Sequence, residues 1–396
     1  MVGGFFAVGR PVLVLLKQRP SVSIDSQNHT ASSMSPSGSS STFDVGTEPA
    51  TLPEKPTASG EGRSGTGSQT SSPWGRDSSN WETRNELKAV SQWYRSLPSS
   101  KRDAIRKLHE LRPTYNATAL LFVVLWGLEA YLMHRFPYVP VRLAGYVLIG
   151  FHIHGLANLM HEAVHGNFFR NRTVDRWCGF MLGAPALVSG TAFRVVHLQH
   201  HQYNRSEADP DEISSAVPNA RLRQVAFYGW LLVGMFYYVL VRLPIQAWRL
   251  GSWQERRQMV VEYGLLIAIY ATVFTAAASQ GAVWSVLHAW IFPAVFTGLF
   301  ANVRGAAEHM LTEPGHPLTQ SRTVRSTRLL SFLNVNLNYH LDHHLFPGIP
   351  WYNLPEVHEL LQEEYEEAGS FVYGSYLRFI VEALRTGVHG VARSAR

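Results

Sequence analysis

Cysteine is nearly absent from this chain of 396 residues, which contains only Cys178. An intrachain disulfide is therefore impossible, and sites built on several thiolates, such as iron–sulfur clusters and cysteine-rich zinc sites, are excluded. Charged residues are also scarce at 16%, against 46% for the apolar types. The mean hydropathy of -0.06 hides this contrast, because a long polar N-terminus dilutes a hydrophobic remainder.

The chain is basic, with a pI near 9.4, but it has no dense stripe of positive charge of the kind that nucleic-acid binding uses. Its arginines flank apolar runs instead, and this pattern favours orientation in a membrane. We therefore expect a membrane protein with no nucleic-acid partner.

Composition divides the chain into four parts. Residues 1–80 are a Ser/Gly/Pro-rich leader that we expect to be disordered, since it cannot bury enough apolar area to offset chain entropy. The leader is either a targeting peptide or an artefact of a start at Met34. Residues 81–113 predict a basic interfacial helix, residues 114–362 a membrane domain, and residues 363–396 a C-terminal helical tail.

The predicted fold is an all-α integral membrane protein with four transmembrane helices in two hairpins and a cytosolic helical cap carrying the histidine clusters. The four runs are long and apolar enough to span a bilayer: they are Ala117–Met133, Leu143–Met160, Met259–Ala278 and Val283–Phe300. Trp177–Ala192 is too short to span and predicts a re-entrant or interfacial segment. Glu262 lies near the end of its span, where we expect it to snorkel to the surface.

A fifth run, Val225–Val241, decides the topology. If His201 and His340 belong to one site, an even number of crossings must separate them, so the weakest of three runs, Val225–Val241, is predicted to lie at the interface. The basic segments 81–113 and 242–257 then share one face with the histidines, while the outer turns carry little positive charge. The positive-inside rule predicts that this face is cytoplasmic.

Three histidine clusters carry the chemistry: the first box, His161-Glu-Ala-Val-His165; the second box, His197-Leu-Gln-His200-His201; and the third box, His340-Leu-Asp-His343-His344. Residues three or four apart share one face of a helix, so each box directs several imidazoles the same way. So many nitrogen ligands suit iron, copper, nickel or zinc rather than calcium or magnesium. The pattern predicts a paired-metal centre.

Three other readings compete with a catalytic metal pair. Ordinary surface or core histidines do not account for two identical H-x-x-H-H spacings. The first box fits the H-E-x-x-H signature of zinc proteases, but those enzymes need one or two further ligands, not six more histidines. A non-catalytic metal-binding membrane protein would tolerate a damaged box, whereas all three boxes are intact.

In these motifs the chain resembles the membrane fatty acid desaturase superfamily of desaturases, hydroxylases and carotenoid ketolases. Four stretches of sequence match. They are the first box followed by Gly-Asn-Phe-Phe-Arg-Asn-Arg172; the second box with Asp209-Pro-Asp211 after it; Glu308-His309; and the third box, preceded by Asn338-Tyr and followed by Leu-Phe-Pro347. The resemblance covers about residues 115–362.

The resemblance implies a non-haem centre of two iron ions held by histidines, with His309 as a ninth ligand. Some members carry an Asn four residues before that histidine to hold a metal-bound water, but here the position is Gly305. The expected ligands are His161, His165, His197, His200, His201, His309, His340, His343 and His344. No catalytic residue is expected beyond them.

Side chains around the ligands are expected to orient the imidazoles. The candidates are His154, Asn158, Glu162, Asp209, Asp211, Glu308 and Asp342. We expect His152 and His288 to make hydrogen bonds between helices, and His358 to lie on the surface without a role.

The expected function is oxygen-dependent desaturation of a lipid acyl chain, with two electrons from a separate carrier such as a ferredoxin or a b-type cytochrome. An acidic carrier would dock on the basic cytosolic surface. The alternative is a hydroxylase or ketolase of a carotenoid or other lipid on the same centre, because both reactions begin with C–H abstraction.

Overall fold

The computed structural model describes residues 86–206, 208–211, 220–310, 312 and 316–386. The leader predicted over residues 1–80 lies outside these ranges. Two helices open the described part, α1 (Glu86–Ser96) and α2 (Ser99–Leu108), where the sequence predicts one helix. Pro98 separates them because proline cannot donate the backbone hydrogen bond that would continue α1.

The membrane domain consists of nine further helices in chain order. They are α3 (Ala117–Arg135), α4 (Val139–Val164), α5 (Arg172–Gly183), α6 (Gly190–Tyr203), α7 (Ala220–Tyr237), α8 (Leu243–Leu250), α9 (Trp253–Ser279), α10 (Val283–Val286) and α11 (Phe292–His309). Two π-helical turns make continuous rods: Tyr238–Arg242 joins α7 to α8, and Leu287–Ile291 joins α10 to α11. One-turn 3₁₀ helices cover Pro113–Asn116 and Ala184–Ala186.

Within the described ranges, five helices are long and apolar enough to cross a membrane, by length and composition. They are Pro113–Arg135, Val139–Val164, Gln224–Leu250, Trp253–Ser279 and Val283–His309. Four contain the predicted spans, and Gln224–Leu250 adds a fifth candidate to the four transmembrane helices predicted. The pair α5–α6 is bent by 100° and is either a broken span or a re-entrant loop. The sequence predicts a re-entrant or interfacial segment at Trp177–Ala192, so the two sets of alternatives share only the re-entrant loop.

In the described residues after α11 there are five short helices. They are α12 (Arg328–Leu333), α13 (His340–Leu345), α14 (Leu354–Leu360), α15 (Gln362–Ala368) and α16 (Tyr376–Thr386). A one-turn 3₁₀ helix, Trp351–Asn353, precedes α14. The fold is not purely helical, since strands β1 (Thr323–Val324) and β2 (Val372–Tyr373) pair in parallel.

The two long helices α4 and α11 approach each other closely at Gly150. A Cβ atom at this position would lie 2.6 Å from the Cβ of Phe296, so only glycine allows the contact. The Thr297 hydroxyl donates a 3.1 Å hydrogen bond to the carbonyl of Gly150 at the same place. This contact fixes α11 against α4, and both helices carry histidines at their C-terminal ends.

Two predicted interhelical histidine contacts are confirmed. The Nδ1 atom of His152 lies 3.0 Å from a carboxylate oxygen of Glu129 on α3. The ring of His288 contacts the hydroxyl of Tyr146 on α4. Polar pairs of this kind hold helices together where water is scarce.

The expectation that Glu262 snorkels to the surface is wrong. Its side chain is fully buried and accepts hydrogen bonds from Ser189 and Thr191 at the start of α6. Gln258, one turn earlier on α9, donates a further bond of 3.1 Å. A buried carboxylate is stable when its oxygens are satisfied in this way, so Glu262 joins α9 to α6.

Candidate metal centre

The first box occupies the end of α4. The helix ends at Val164, His165 follows as its C-terminal cap, and Gly166 takes a φ of 78° in the left-handed region. Glycine ends helices in this conformation without strain. His161 and His165 therefore point from the last turn of α4 toward the centre of the domain.

The second box lies on α6. Ser189 caps this helix, with its side chain accepting a hydrogen bond from the backbone of Ala192. The helix continues to Tyr203 and places its three box histidines on the inner side, all of them buried. The direction of these three imidazoles therefore depends on how the start of α6 is held.

His309 is the last residue of α11, and the third box forms α13. The turn before α13 contains Val335 and Asn336 with φ values of 56° and 47°, which are unfavourable for residues other than glycine. The side chain of Asn336 donates to the carbonyl of Trp351 at 3.3 Å. This contact secures the turn that directs α13 inward.

Seven of the nine histidines converge through their Nε2 atoms: His165, His197, His201, His309, His340, His343 and His344. The Nε2 atoms of His165 and His197 lie 3.0 Å apart, those of His201 and His343 lie 3.1 Å apart, and the Nε2 atom of His340 lies 2.6 Å from that of His309. The ring nitrogens form two groups, and within each group all the nitrogens lie within 4.8 Å of one another. The first group is His161, His165, His197, His201 and His343, and the second is His200, His309 and His344. His340 adjoins the second group through His344 at 3.1 Å.

The donors suit two metal ions. Metal–nitrogen bonds of about 2 Å put neighbouring ligand nitrogens about 3 Å apart, which is the separation that these rings have. Burial and the neighbouring histidines hold the pKa of His343 and of His344 well below the usual value. These imidazoles are therefore uncharged at neutral pH, as ligation requires.

Three of the predicted carboxylates lie on the outer nitrogens of the rings. Asp209 is 3.0 Å from the Nδ1 atom of His200, Glu308 is 3.3 Å from that of His340, and Glu162 is 3.6 Å from that of His161. A carboxylate at Nδ1 fixes the tautomer and leaves the Nε2 lone pair for a metal. The contact of Asp209 with His200 is a hydrogen bond, whereas the Nδ1 atoms of His340 and His161 have no hydrogen-bond partner among the described residues, so this cause of the inward direction of Nε2 applies to His200.

Asp342 has a different neighbourhood. Its carboxylate contacts the side chains of Thr323, His358 and Tyr365, at 3.0, 3.1 and 2.6 Å. Asp342 therefore joins α13 to α14 and α15, and the surface placement expected for His358 is wrong. Tyr365 and His358 follow the third box in sequence without a recognisable motif, so the spacing of residues gave no sign of these contacts.

Tyr376 is a second tyrosine that the sequence did not indicate. Its hydroxyl donates a 2.9 Å hydrogen bond to Glu308, which also receives Arg304 at 2.9 Å. Burial and the Glu308 carboxylate raise the pKa of Tyr376 well above its usual value, so the hydroxyl keeps its proton and remains a donor. The C-terminal helix α16 thereby contributes to the surroundings of His340.

The remaining candidates lie around the centre at other contacts. Asn158 contacts Arg304 and donates to the carbonyl of Asn334, while His154 is buried one turn earlier on α4. The backbone N–H of Asp211 donates to Asp209 at 2.9 Å, so Asp211 supports the partner of His200.

Gly305, where the resemblance implies an Asn in some relatives, borders open space. A Cβ atom there would meet no atom within 4 Å. Asn302 and Asn336 donate to the backbone carbonyls of Leu231 and Trp351. Both asparagine side chains are thus engaged with backbone carbonyls, and neither takes the place of the Asn that some relatives carry at the position of Gly305.

A largely apolar cavity of about 340 Å³ reaches from the histidines into the helical bundle. His161, His197 and His309 line one part of it, and Tyr270 and Trp290 line another. Trp290 donates to the carbonyl of Pro185 at 2.9 Å, and the hydroxyl of Tyr270 donates to the carbonyls of Ala184 and Pro185 at 3.2 Å each. The bend between α5 and α6 is thus fixed to the cavity wall.

A family model for fatty acid desaturases matches residues 136–376, which is more than half of the chain. The chain belongs to the fatty acid desaturase family. The matched region contains all nine candidate ligands of this family member, the four helices α4, α6, α11 and α13 that carry them and the whole cavity.

Several characterised desaturases are similar to this family member. It is 26% identical to an sn-1 oleoyl-lipid 12-desaturase of Arthrospira platensis over 53% of its own length, and spans 64% of that relative. It is 24% identical to a sphingolipid delta(4)-desaturase of Drosophila melanogaster, over 69% of this chain and 82% of the relative. An sn-1 acyl-lipid omega-3 desaturase (ferredoxin) of Synechocystis is 24% identical, over 57% of this chain and 66% of the relative.

Proposed function

We propose that the protein is a membrane di-iron oxidoreductase that uses dioxygen and two electrons to desaturate a lipid acyl chain. The observation that carries the proposal is the convergence of nine imidazoles beside a largely apolar cavity, which five of them line. Bound iron would supply the activation of dioxygen that removal of hydrogen from an unactivated C–H bond requires. The nine histidines would hold two such ions in the two groups described above.

The residues of the chain have three tasks in this proposal. Asp209 keeps a proton on the outer nitrogen of His200, so the inner nitrogen of His200 stays free to bind metal, while Glu308 and Glu162 lie 3.3 and 3.6 Å from the outer nitrogens of His340 and His161. The apolar lining of the cavity excludes water and binds a hydrocarbon chain beside the histidines. Trp290 and Tyr270 limit how far that chain extends from the metal-binding end.

The acyl-lipid and sphingolipid relatives leave two substrate classes, and we favour the acyl chain of a membrane lipid.

A second candidate function is hydroxylation on the same centre. A human relative, 25% identical over 67% of this chain, is named a sphingolipid delta(4)-desaturase/C4-monooxygenase. That name joins both reactions in one protein, and the arrangement of histidines serves either outcome.

The metal-binding end is proposed to face the cytoplasm, with α7 and α8 lying along the membrane surface. Since His200 and His309 belong to one group, an even number of complete crossings must separate them, although three candidate spans lie between. Both ends of the rod Gln224–Leu250 support this. Phe227 packs against Ala306 near His309, and Leu243 packs against Val196 near His197.

Electrons are proposed to come from a separate carrier. The name of the Synechocystis relative includes ferredoxin. The described helix α2 carries the basic residues Lys101, Arg102, Arg106 and Lys107. Lys101 pairs with Glu363 and Glu364 and Arg106 with Asp103, so Arg102 and Lys107 are the residues proposed for a positive surface. A positive surface of this kind increases the rate of encounter with an acidic partner.

Mass spectrometry of lipids from cells that express the protein tests the function. We expect a loss of two hydrogens in acyl chains, absent in a His343→Ala variant and retained in His134→Ala, which changes an exposed histidine outside the centre. A gain of oxygen would favour the hydroxylase, and a change confined to pigments would favour a ketolase. Unchanged lipids with full metal content would contradict the proposal.

A further inference from the structure

Helix α16 presents three different faces. One face packs against the domain: Phe379 and Ala383 are buried in a cluster with Phe227, Ala306 and Ala307. The hydroxyl of Tyr376, at the start of α16, reaches Glu308 on this same side. The helix is therefore held firmly, and its position relative to α7 and α11 is fixed.

The second face is apolar and uncovered. Leu377, Val381 and Leu384 have exposed fractions of 69%, 38% and 59%. They are spaced four and three residues apart, so they form one stripe along the helix. Exposed apolar stripes of this kind mark a surface that contacts a partner or a membrane.

The third face is polar. Arg378 and Arg385 are exposed on it, and Glu382 between them accepts a 3.2 Å hydrogen bond from the hydroxyl of Tyr373. At 3.6 residues per turn, the apolar stripe lies between the packed face and the polar face on one side of the helix. A helix with protein on one side, an apolar stripe next and charges opposite has the pattern of one that lies at a bilayer surface.

The apolar stripe also adjoins a helix of the membrane domain. The hydroxyl of Tyr228 on α7 contacts the carbonyl of Leu384 at 3.5 Å. Helix α7 has exposed apolar side chains of its own at Val225 and Leu232, seven residues apart on one face. It contributes most of one candidate membrane span, so the exposed stripe of α16 continues an apolar surface already assigned to the membrane region.

We propose that α16 is a membrane-surface helix, with Leu377, Val381 and Leu384 inserted among the lipid acyl chains and Arg378 and Arg385 in the headgroup layer. The occupant of this face is the lipid bilayer itself. The charge of the two arginines suits anionic headgroups. Since the proposal concerns membrane contact, it holds whether the reaction is desaturation or hydroxylation.

Site-directed spin labelling tests this placement. In the full chain with Cys178→Ser, single cysteines replace Leu377, Val381, Leu384, Arg378 and Arg385 in turn, and each variant is reconstituted in phosphatidylcholine vesicles. Collision rates are measured with oxygen, which concentrates in the bilayer, and with a water-soluble nickel chelate. We expect oxygen collisions to exceed nickel collisions several-fold at the three apolar positions, and the reverse at the two arginines.

Two outcomes would overturn the proposal. Nickel collisions that dominate at all five positions would place the stripe in water. Low collision rates with both reagents at the apolar positions, together with spin–spin broadening between chains, would mean that a second copy covers the stripe. Retained binding of metal in each variant shows that the labelled protein is folded. A Leu377→Ser variant with Cys at Val381 repeats the collision measurement with a second residue of the stripe changed.

Discussion

Glu262 of α9 accepts a 2.6 Å hydrogen bond from the hydroxyl of Ser189, the residue that caps the N-terminus of α6. The same carboxylate receives the backbone N–H of Thr191 at 2.9 Å and its hydroxyl at 2.6 Å. A side chain in one candidate span thus anchors the helix that carries the second histidine box. Its role is to position three imidazoles that it does not touch.

Replacing Glu262 tests this anchor. Glu262→Ala leaves several buried donors without an acceptor, a loss of about 3 kcal/mol or more, so we expect the melting temperature in detergent to fall by about 5–10 °C. Gln258→Ala, which removes a single donor at the same carboxylate, should lower it much less. Equal melting temperatures for wild type and Glu262→Ala would contradict the anchor.

The contact between Asp209 and His200 gives a prediction about metal affinity. Asp209→Asn weakens the acceptor at the outer nitrogen of His200, and loss of such a partner typically lowers metal affinity by about 10–100-fold. The measurement is iron retained per chain in competition with a graded chelator. Asp103→Asn, at an exposed carboxylate, is the matched control, and an unchanged chelator midpoint for Asp209→Asn would count against the orienting role.

Two groups of histidines predict two metal ions per chain. Elemental analysis of the purified protein should give about two irons, and His309→Ala or His161→Ala should each lower the iron content while His134→Ala should not. Removing iron with a chelator should abolish lipid oxidation and lower the melting temperature, because the metal binds only the folded chain. A wild-type protein with one tightly bound ion at saturation would refute the two-site arrangement.

The proposed topology places two glutamines on opposite sides of the membrane. In the Cys178→Ser background, Gln254→Cys in the first turn of α9 should be labelled by an impermeant thiol reagent only after the cells are opened. Gln280→Cys, in the turn after α9, should be labelled in intact cells. Both residues are exposed in the structure, so access depends on the side of the membrane alone. Labelling of Gln254→Cys in intact cells would mean that Gln224–Leu250 crosses.

The far wall of the cavity predicts a change in substrate range. Trp290→Ala removes a large ring and its 2.9 Å bond to the carbonyl of Pro185, so longer chains should be accepted and the position of the double bond should shift. Tyr270→Phe removes only a hydroxyl, and it should retain the wild-type products. The check is the product profile from a series of acyl chain lengths, and identical profiles for Trp290→Ala and wild type would exclude the wall as a limit.

The histidines show how much of the site could be predicted from the sequence. Spacing alone indicated which imidazoles share a helix face, and the boxes meet in space as predicted. The assignment of His309 as a ligand rested on the resemblance and stays a prediction; the Nε2 atom of His309 lies 2.6 Å from that of His340. Spacing cannot indicate partners that come from distant segments without periodicity, which is why Tyr365 and Tyr376 were missed.

Two predictions from the sequence failed for a shared reason. Glu262 and His358 were assigned to the surface from their position near a helix end and from the absence of a motif. Both side chains instead meet residues more than ten positions away, Ser189 and Asp342. Burial of a polar residue depends on these long-range contacts, and a single sequence records only what is local.

The distribution of the ligands over four separate helices has a consequence for biogenesis. The group with His161 takes its nitrogens from α4, α6 and α13, and the group with His200 from α6, α11 and α13. A chain that has inserted only its first hairpin offers two of these nitrogens, so it cannot retain the metal. Retention of both metal ions therefore requires that α4, α6, α11 and α13 have all been made and have docked.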